Sequence, residues 1–113
     1  MPFFDQNEAP ALDLAPGVTC RLIWGERIMM GLIDIGPGAK IPDHTHPHEQ
    51  CGRVLSGSFH LTIGEETRLL REGDHYVIPP SVPHSATGTA SPSLALDIWS
   101  PVREDYLEKL GSD

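Results

Sequence analysis

Cysteine is scarce in this chain: Cys20 and Cys51 are the two present, and they form no Cys-x-x-Cys pair. They read as reduced, partly buried thiols of a cytosolic protein rather than a disulfide framework. No apolar run approaches the length that crosses a bilayer. The opening Met1-Pro2-Phe3-Phe4-Asp5 has neither a charged n-region nor an apolar h-region, so the expected compartment is the cytoplasm. Cations are also few, eight against sixteen acids. The resulting formal charge of −8 leaves neither nucleic acid nor an anionic membrane as an expected partner. Any anionic substrate must then be met by local positive charge, from a metal or a placed arginine. Internal repeats, low-complexity tracts and βαβ units are missing too, which excludes Rossmann and P-loop chemistry.

What is present is turn chemistry. Eleven glycines and eleven prolines in 113 residues suit one domain of many short strands. Hydrophobic residues at 39 % and charged residues at 21 % are ordinary globular composition. Residues 1–16, polar and broken by proline, read as an N-terminal arm, and 17–113 as the domain. Strands are expected at Val18–Trp24, Arg27–Ile35, Gly52–Ser56, Ser58–Ile63, Thr67–Leu70, His75–Ile78, His84–Thr87 and Ser93–Trp99. Asp105–Leu110 alone looks helical. Short strands at such spacing point to an all-β sandwich or barrel.

The stretch His44-Thr45-His46-Pro47-His48-Glu49-Gln50 carries the chemistry. In an extended strand His44 and His46 share a face, and Gln50 follows at the same parity beyond a proline. His84, flanked by similar turn residues, is the fourth donor. Three imidazoles and an amide oxygen suit one divalent ion of zinc, nickel, iron, manganese or cobalt. Glu49 is one residue out of register and reads as a surface carboxylate. His48 is a lesser candidate ligand, and His60 and His75 read as half-buried strand residues. The bland alternative is a cluster of solvated loop histidines.

Two spaced patterns carry a resemblance. Gly38, His44-x-His46, Gln50 and Gly57 form the first, and Gly73, Pro79 and His84 the second. Together they resemble the two motifs of the cupin family, which implies a single-domain jelly-roll β-barrel with, here, a short C-terminal helix. The resemblance places the metal on His44, His46, Gln50 and His84. Most cupins carry glutamate where this chain has Gln50. A neutral amide leaves the full charge on the cation, which favours a Lewis acid over an oxygen-activating iron centre.

The second informative stretch is Leu94-Ala95-Leu96-Asp97-Ile98-Trp99-Ser100-Pro101-Val102-Arg103. Asp97 and Trp99 share one face of an apolar strand, and a carboxylate there is costly to bury without a partner. Asp97 becomes a candidate acid or base, Trp99 a surface for a sugar ring, and Arg103 a fork for a substrate carboxylate. A structural Asp97–Arg103 ion pair beside a core tryptophan is the competing reading. With His-Pro-His-Glu-Gln and Ile78-Pro79-Pro80-Ser81-Val82-Pro83-His84, this stretch resembles the pectin-degradation group of small cupins. Those convert 4,5-unsaturated uronates, released by polysaccharide lyases, into linear ketouronates. The resemblance implies catalytic roles for Asp97 and Arg103 and substrate binding by Trp99 and Arg103. Trp99 replaces the more usual phenylalanine, and Cys51 a larger aliphatic residue. The expected activity is thus a metal-dependent isomerase acting on a small-molecule carboxylate sugar. An iron dioxygenase, a cyclase and a non-catalytic metal-dependent binding barrel are the alternatives. A homodimer, formed through open sheet edges, is the expected assembly.

Overall fold

A computed structural model describes residues 3–5 and 7–111. Residues 1, 2, 6, 112 and 113, which fall within the expected arm and at the end of the expected domain, lie outside the described residues. In chain order the elements are β1 (Ala11–Ala15), β2 (Val18–Trp24), β3 (Met29–Ile35), β4 (Lys40–His44) and β5 (Glu49–Ser56). They continue with β6 (Ser58–Ile63), β7 (Glu66–Arg71), β8 (His75–Ile78), β9 (His84–Gly88), β10 (Ser93–Ser100) and α1 (Glu104–Gly111). Two antiparallel sheets result, one ordered β1-β2-β3-β10-β5-β8 and the other β4-β9-β6-β7. This is the jelly roll expected from the motifs, with α1 packed on β1.

Strict alternation builds the interior. Val18, Cys20 and Leu22 of β2, Met29, Ile33 and Ile35 of β3, and Ala95 and Trp99 of β10 all turn inward. Phe59 and Leu61 of β6 and Ala86 of β9 face them from the smaller sheet. Each large apolar side chain buried this way contributes about 1.5–3 kcal/mol before the cost of ordering it. The helix carries Glu104 and Asp105 in its first turn and Lys109 in its last, which suits its dipole.

Several expectations change. The second half of the arm is β1, hydrogen-bonded to β2 through pairs such as Leu12↔Cys20. Leu12 and Leu14 turn inward while Ala11 and Asp13 stay exposed, a pattern too short to read as a strand beforehand. β4, absent from the expected strands, edges the smaller sheet, and β3 begins at Met29 rather than Arg27. The cysteines are free and lie on opposite faces: Cys20 is buried and Cys51 exposed. Burial pushes the Cys20 thiol up to about 12, so it stays protonated and unreactive. His60 and His75 are exposed rather than half-buried.

Gly31 shows how closely the interior is filled. A Cβ there would stand 2.6 Å from Cys20 Sγ and 2.9 Å from the Trp99 ring. Gly31→Ala should therefore destabilise the protein by about 1–3 kcal/mol, read as a lower midpoint in denaturant unfolding. An unchanged midpoint would mean that the Trp99 ring relaxes freely.

Candidate metal centre

The chain changes sheets between its two informative donors. β4 ends at His44 in the smaller sheet, and β5 begins at Glu49 in the larger. His46 lies in the crossing, with Pro47 beside it, and not on a strand shared with His44. Parity along one strand is therefore not what brings the histidines together; the bend that carries the chain from one sheet to the other does so. His84, first residue of β9, is the register partner of His44. Their rings lie 4.1 Å apart, and the His46 ring is 4.8 Å from that of His84 and 5.8 Å from that of His44. One ligand atom from each of the three lies within 4.8 Å of the others.

Backbone carbonyls set the tautomers. His44 Nδ1 lies 2.8 Å from the Pro42 carbonyl oxygen, His84 Nδ1 2.9 Å from that of Val82, and His46 Nδ1 3.1 Å from that of His48. A carbonyl only accepts, so each Nδ1 carries the proton and donates it. All three Nε2 atoms are then bare lone pairs. His84 Nε2 is buried and has no hydrogen-bond partner. Burial holds the His46 pKa down to about 4, helped by the charge of Arg103, and burial also lowers that of His84. Both rings are neutral at neutral pH, the form that binds a metal.

Gln50 completes the set from β5. Its amide Nε2 donates to Asp97 Oδ1 at 3.0 Å, which turns Oε1 toward His46 Nε2, also 3.0 Å away. Two acceptors face each other there with no hydrogen between them. The same holds for the whole group: four lone pairs share a largely buried space, an arrangement that a cation suits. The residues present therefore fit a divalent metal, with the imidazole-rich donor set of zinc, nickel or iron sites. Glu49 is exposed, as its register required, and Gln50 is buried. His48 contributes its carbonyl to His46 and is outside the cluster of three.

Behind Gln50 stands a layer the sequence did not reveal. Tyr76 Oη donates to Asp97 Oδ1 at 2.8 Å, so one carboxylate oxygen receives both the amide and the phenol. Burial raises Asp97 to about 6, although both hydrogen bonds pull it down. The same burial drives Tyr76 far upward, so its hydroxyl remains a donor. Gly52, the register partner of both Asp97 and Tyr76, makes room, since a Cβ there would collide with each. The available signal was an aromatic hydroxyl at the parity of buried Ile78, which needs a partner when it turns inward.

The remaining expected site residues also meet at the cavity. Arg103 is buried and bonds the Asp105 carboxylate through Nε at 3.1 Å and Nη2 at 2.7 Å. Arg103 in turn holds the Asp105 carboxyl below its ordinary range. The Arg103 guanidinium stacks 3.8 Å from the Tyr106 ring centroid, and Trp99 meets Tyr106 edge-on at 5.6 Å. The alternative Asp97–Arg103 ion pair is thus overturned, because each has its own partners. Trp99 Nε1 and Arg103 Nη1 are buried with no hydrogen-bond partner. His44, Gln50, His84, Asp97, Trp99 and Arg103 all line one cavity of about 50 Å³. That holds an ion and a few waters, so lining side chains must shift to admit a sugar ring.

Fold and site define a cupin whose three histidines could hold a metal ion, and the comparisons agree on the fold family. Residues 31–99 match the cupin domain, and the chain belongs to that family. It is 32 % identical over 107 residues to the pectin degradation protein KdgF of Dickeya dadantii (strain 3937), covering 93 % of this chain and 97 % of that one. The structure of KdgF from Halomonas sp. superposes with a TM-score of 0.84 at 30 % identity, covering 94 % and 98 % of the two chains. An RmlC-like cupin from Shewanella frigidimarina NCIMB 400 superposes at 0.85, with 27 % identity and coverage of 94 % and 96 %.

Metal analysis of protein prepared without chelator should find a single divalent ion per chain, lost in His84→Ala and retained in Glu49→Gln. The reverse ranking would place the site elsewhere. Tyr76→Phe removes a donor two bonds behind the ligand. It should weaken metal affinity by about tenfold in chelator competition, the lower end for such partners.

Proposed function

We propose that this cupin is a metal-dependent isomerase that linearises 4,5-unsaturated uronates. The observation that carries the reading is the cavity itself, where the cation-demanding cluster adjoins two unpartnered N–H donors, Arg103 Nη1 and Trp99 Nε1. A metal and an anion-binding pair on one cavity suit a small oxygenated carboxylate. The similarity over nearly the whole chain to a protein named for pectin degradation supports a uronate from polysaccharide breakdown as the substrate.

The reaction needs no oxidant. The bond between ring oxygen and anomeric carbon breaks, the ring enol becomes a ketone, and the anomeric carbon becomes an aldehyde. One proton leaves the anomeric hydroxyl, and one arrives at the alkene carbon that bears no carboxylate. His44, His46, Gln50 and His84 would hold the ion, which supplies Lewis-acid polarisation of a substrate oxygen. Arg103 and Trp99 donate to the substrate carboxylate, with the guanidinium kept in place by Asp105 and Tyr106. Asp97, lining the cavity, takes the hydroxyl proton and holds it for return to carbon. Tyr76 and Gln50 keep its carboxylate oriented.

Loss of the conjugated-alkene absorbance of unsaturated galacturonate, or of its alginate-derived counterpart, is the assay. Metal-loaded protein should accelerate that loss, and chelation should abolish it. Asp97→Asn should lower kcat by about 100-fold or more with metal content intact, the range for a lost general acid–base. Arg103→Ala should mainly raise KM. Full metal occupancy without acceleration would end the uronate reading. Acceleration undiminished in both variants would reduce Asp97 and Arg103 to structural parts.

A further inference from the structure

The cavity lined by His44, Gln50 and His84 reaches past them to a stretch of apolar wall. Along β10 the inward positions run from Trp99 through Asp97 to Ala95, and along β9 from His84 to Ala86. Each such step carries the lining about 6–7 Å further along the barrel. Ala86 is the register partner of Ile41 on β4 and of Leu61 on β6, and Ala95 that of Ile33 on β3. All five line the cavity, and so does Phe59, paired with Gly88 further along β9.

Two buried alanines, one from each sheet, thus leave space beneath the donors that larger side chains would fill. A water there finds no partner among these side chains, and an apolar chamber of this kind stays dry and accepts apolar guests. A sugar acid carries hydroxyls around its ring and gains nothing from such a wall. A ligand with a carboxylate at one end and hydrocarbon at the other suits both ends of the cavity. Its carboxylate meets Arg103 Nη1 and Trp99 Nε1, the buried N–H donors that lack a partner. Its chain then extends past Asp97 toward Ala86 and Ala95. Trp99 and Ala95 stand four residues apart on one strand, about 13 Å. That span, and a free volume of about 50 Å³, admit a short chain and exclude a long one.

We propose that the cavity is also a binding site for short unbranched aliphatic carboxylates, with Ala86 and Ala95 setting the length it accepts. The inference rests on the reading of Arg103 and Trp99 as a carboxylate site and is independent of the isomerisation itself. Such acids take the place of the uronate and compete with it.

Calorimetric titration of the metal-loaded protein with acetate, propanoate, butanoate, pentanoate and hexanoate tests this. Affinity should rise about fourfold with each added methylene until the chamber is full, and then fall. The heat-capacity change of binding should grow more negative along the same rise. Ala86→Val, and independently Ala95→Val, should bind acetate as the wild type does but prefer a shorter acid, with metal content intact. Ile33→Val adds room and should raise the affinity of the longest acids. Acetate binding with no gain along the series, or a length preference unmoved in both alanine variants, would overturn this inference and leave the carboxylate end standing. Failure of every acid to bind would overturn the carboxylate end and the inference with it. Loss of the alkene absorbance, read separately, decides the isomerase reading.

Discussion

Four lone pairs pointed at one buried spot are the constraint on which the rest of this barrel depends. Each imidazole has spent its Nδ1 proton on a backbone carbonyl, and the Gln50 amide nitrogen donates to Asp97. Nothing is left to donate inward. Such an arrangement favours a cation at its centre, and for that reason the hydrogen bonds around the site, as much as the side chains themselves, fit it to a metal. The polypeptide achieves this with short-range geometry: His44 and His84 each bond the carbonyl two residues earlier, and His46 the one two residues later.

Asp97 is the costly element. A fully buried carboxylate loses its hydration, and two hydrogen bonds return only part of that loss, as its upward-shifted pKa records. A chain selected only for stability would place an apolar residue there. The carboxylate instead orients the amide of a ligand on one side and borders the cavity on the other. Gly52 belongs to the same arrangement, because its missing side chain lets Tyr76 reach across β5 to the carboxylate. Arg103 completes the interior by bringing a second charge under cover. It is held by an exposed carboxylate and an aromatic face, with one nitrogen kept free.

Gln50 distinguishes this site electrostatically from one with a fourth, anionic ligand. Its neutral oxygen would leave the charge of a bound cation undiminished, and the Asp97 carboxylate accepts from its amide nitrogen instead. Polarisation of a substrate oxygen profits from that, whereas stabilising a higher metal oxidation state does not. The same ligand geometry on a cupin barrel can thus host different chemistry through one side chain and what stands behind it.

By itself the sequence determined the fold class, the three histidines that come together and the exposure of Glu49. Glycine and proline spacing, alternation and residue type are local properties, and so are most strand positions. It also placed Asp97 and Trp99 on a common inward face, because period-two alternation holds along a single strand. Only the tertiary structure decided how the ligands meet. His44 and Gln50 belong to different sheets, and the link between them is a crossing that no periodicity describes. Tyr76, Gly52 and the Arg103–Asp105 bond were likewise invisible, since each depends on register between strands, or on how a loop folds back over the barrel. Pairing across a sheet is a long-range choice made by the whole core, and the layer behind the histidine cluster is written in that pairing.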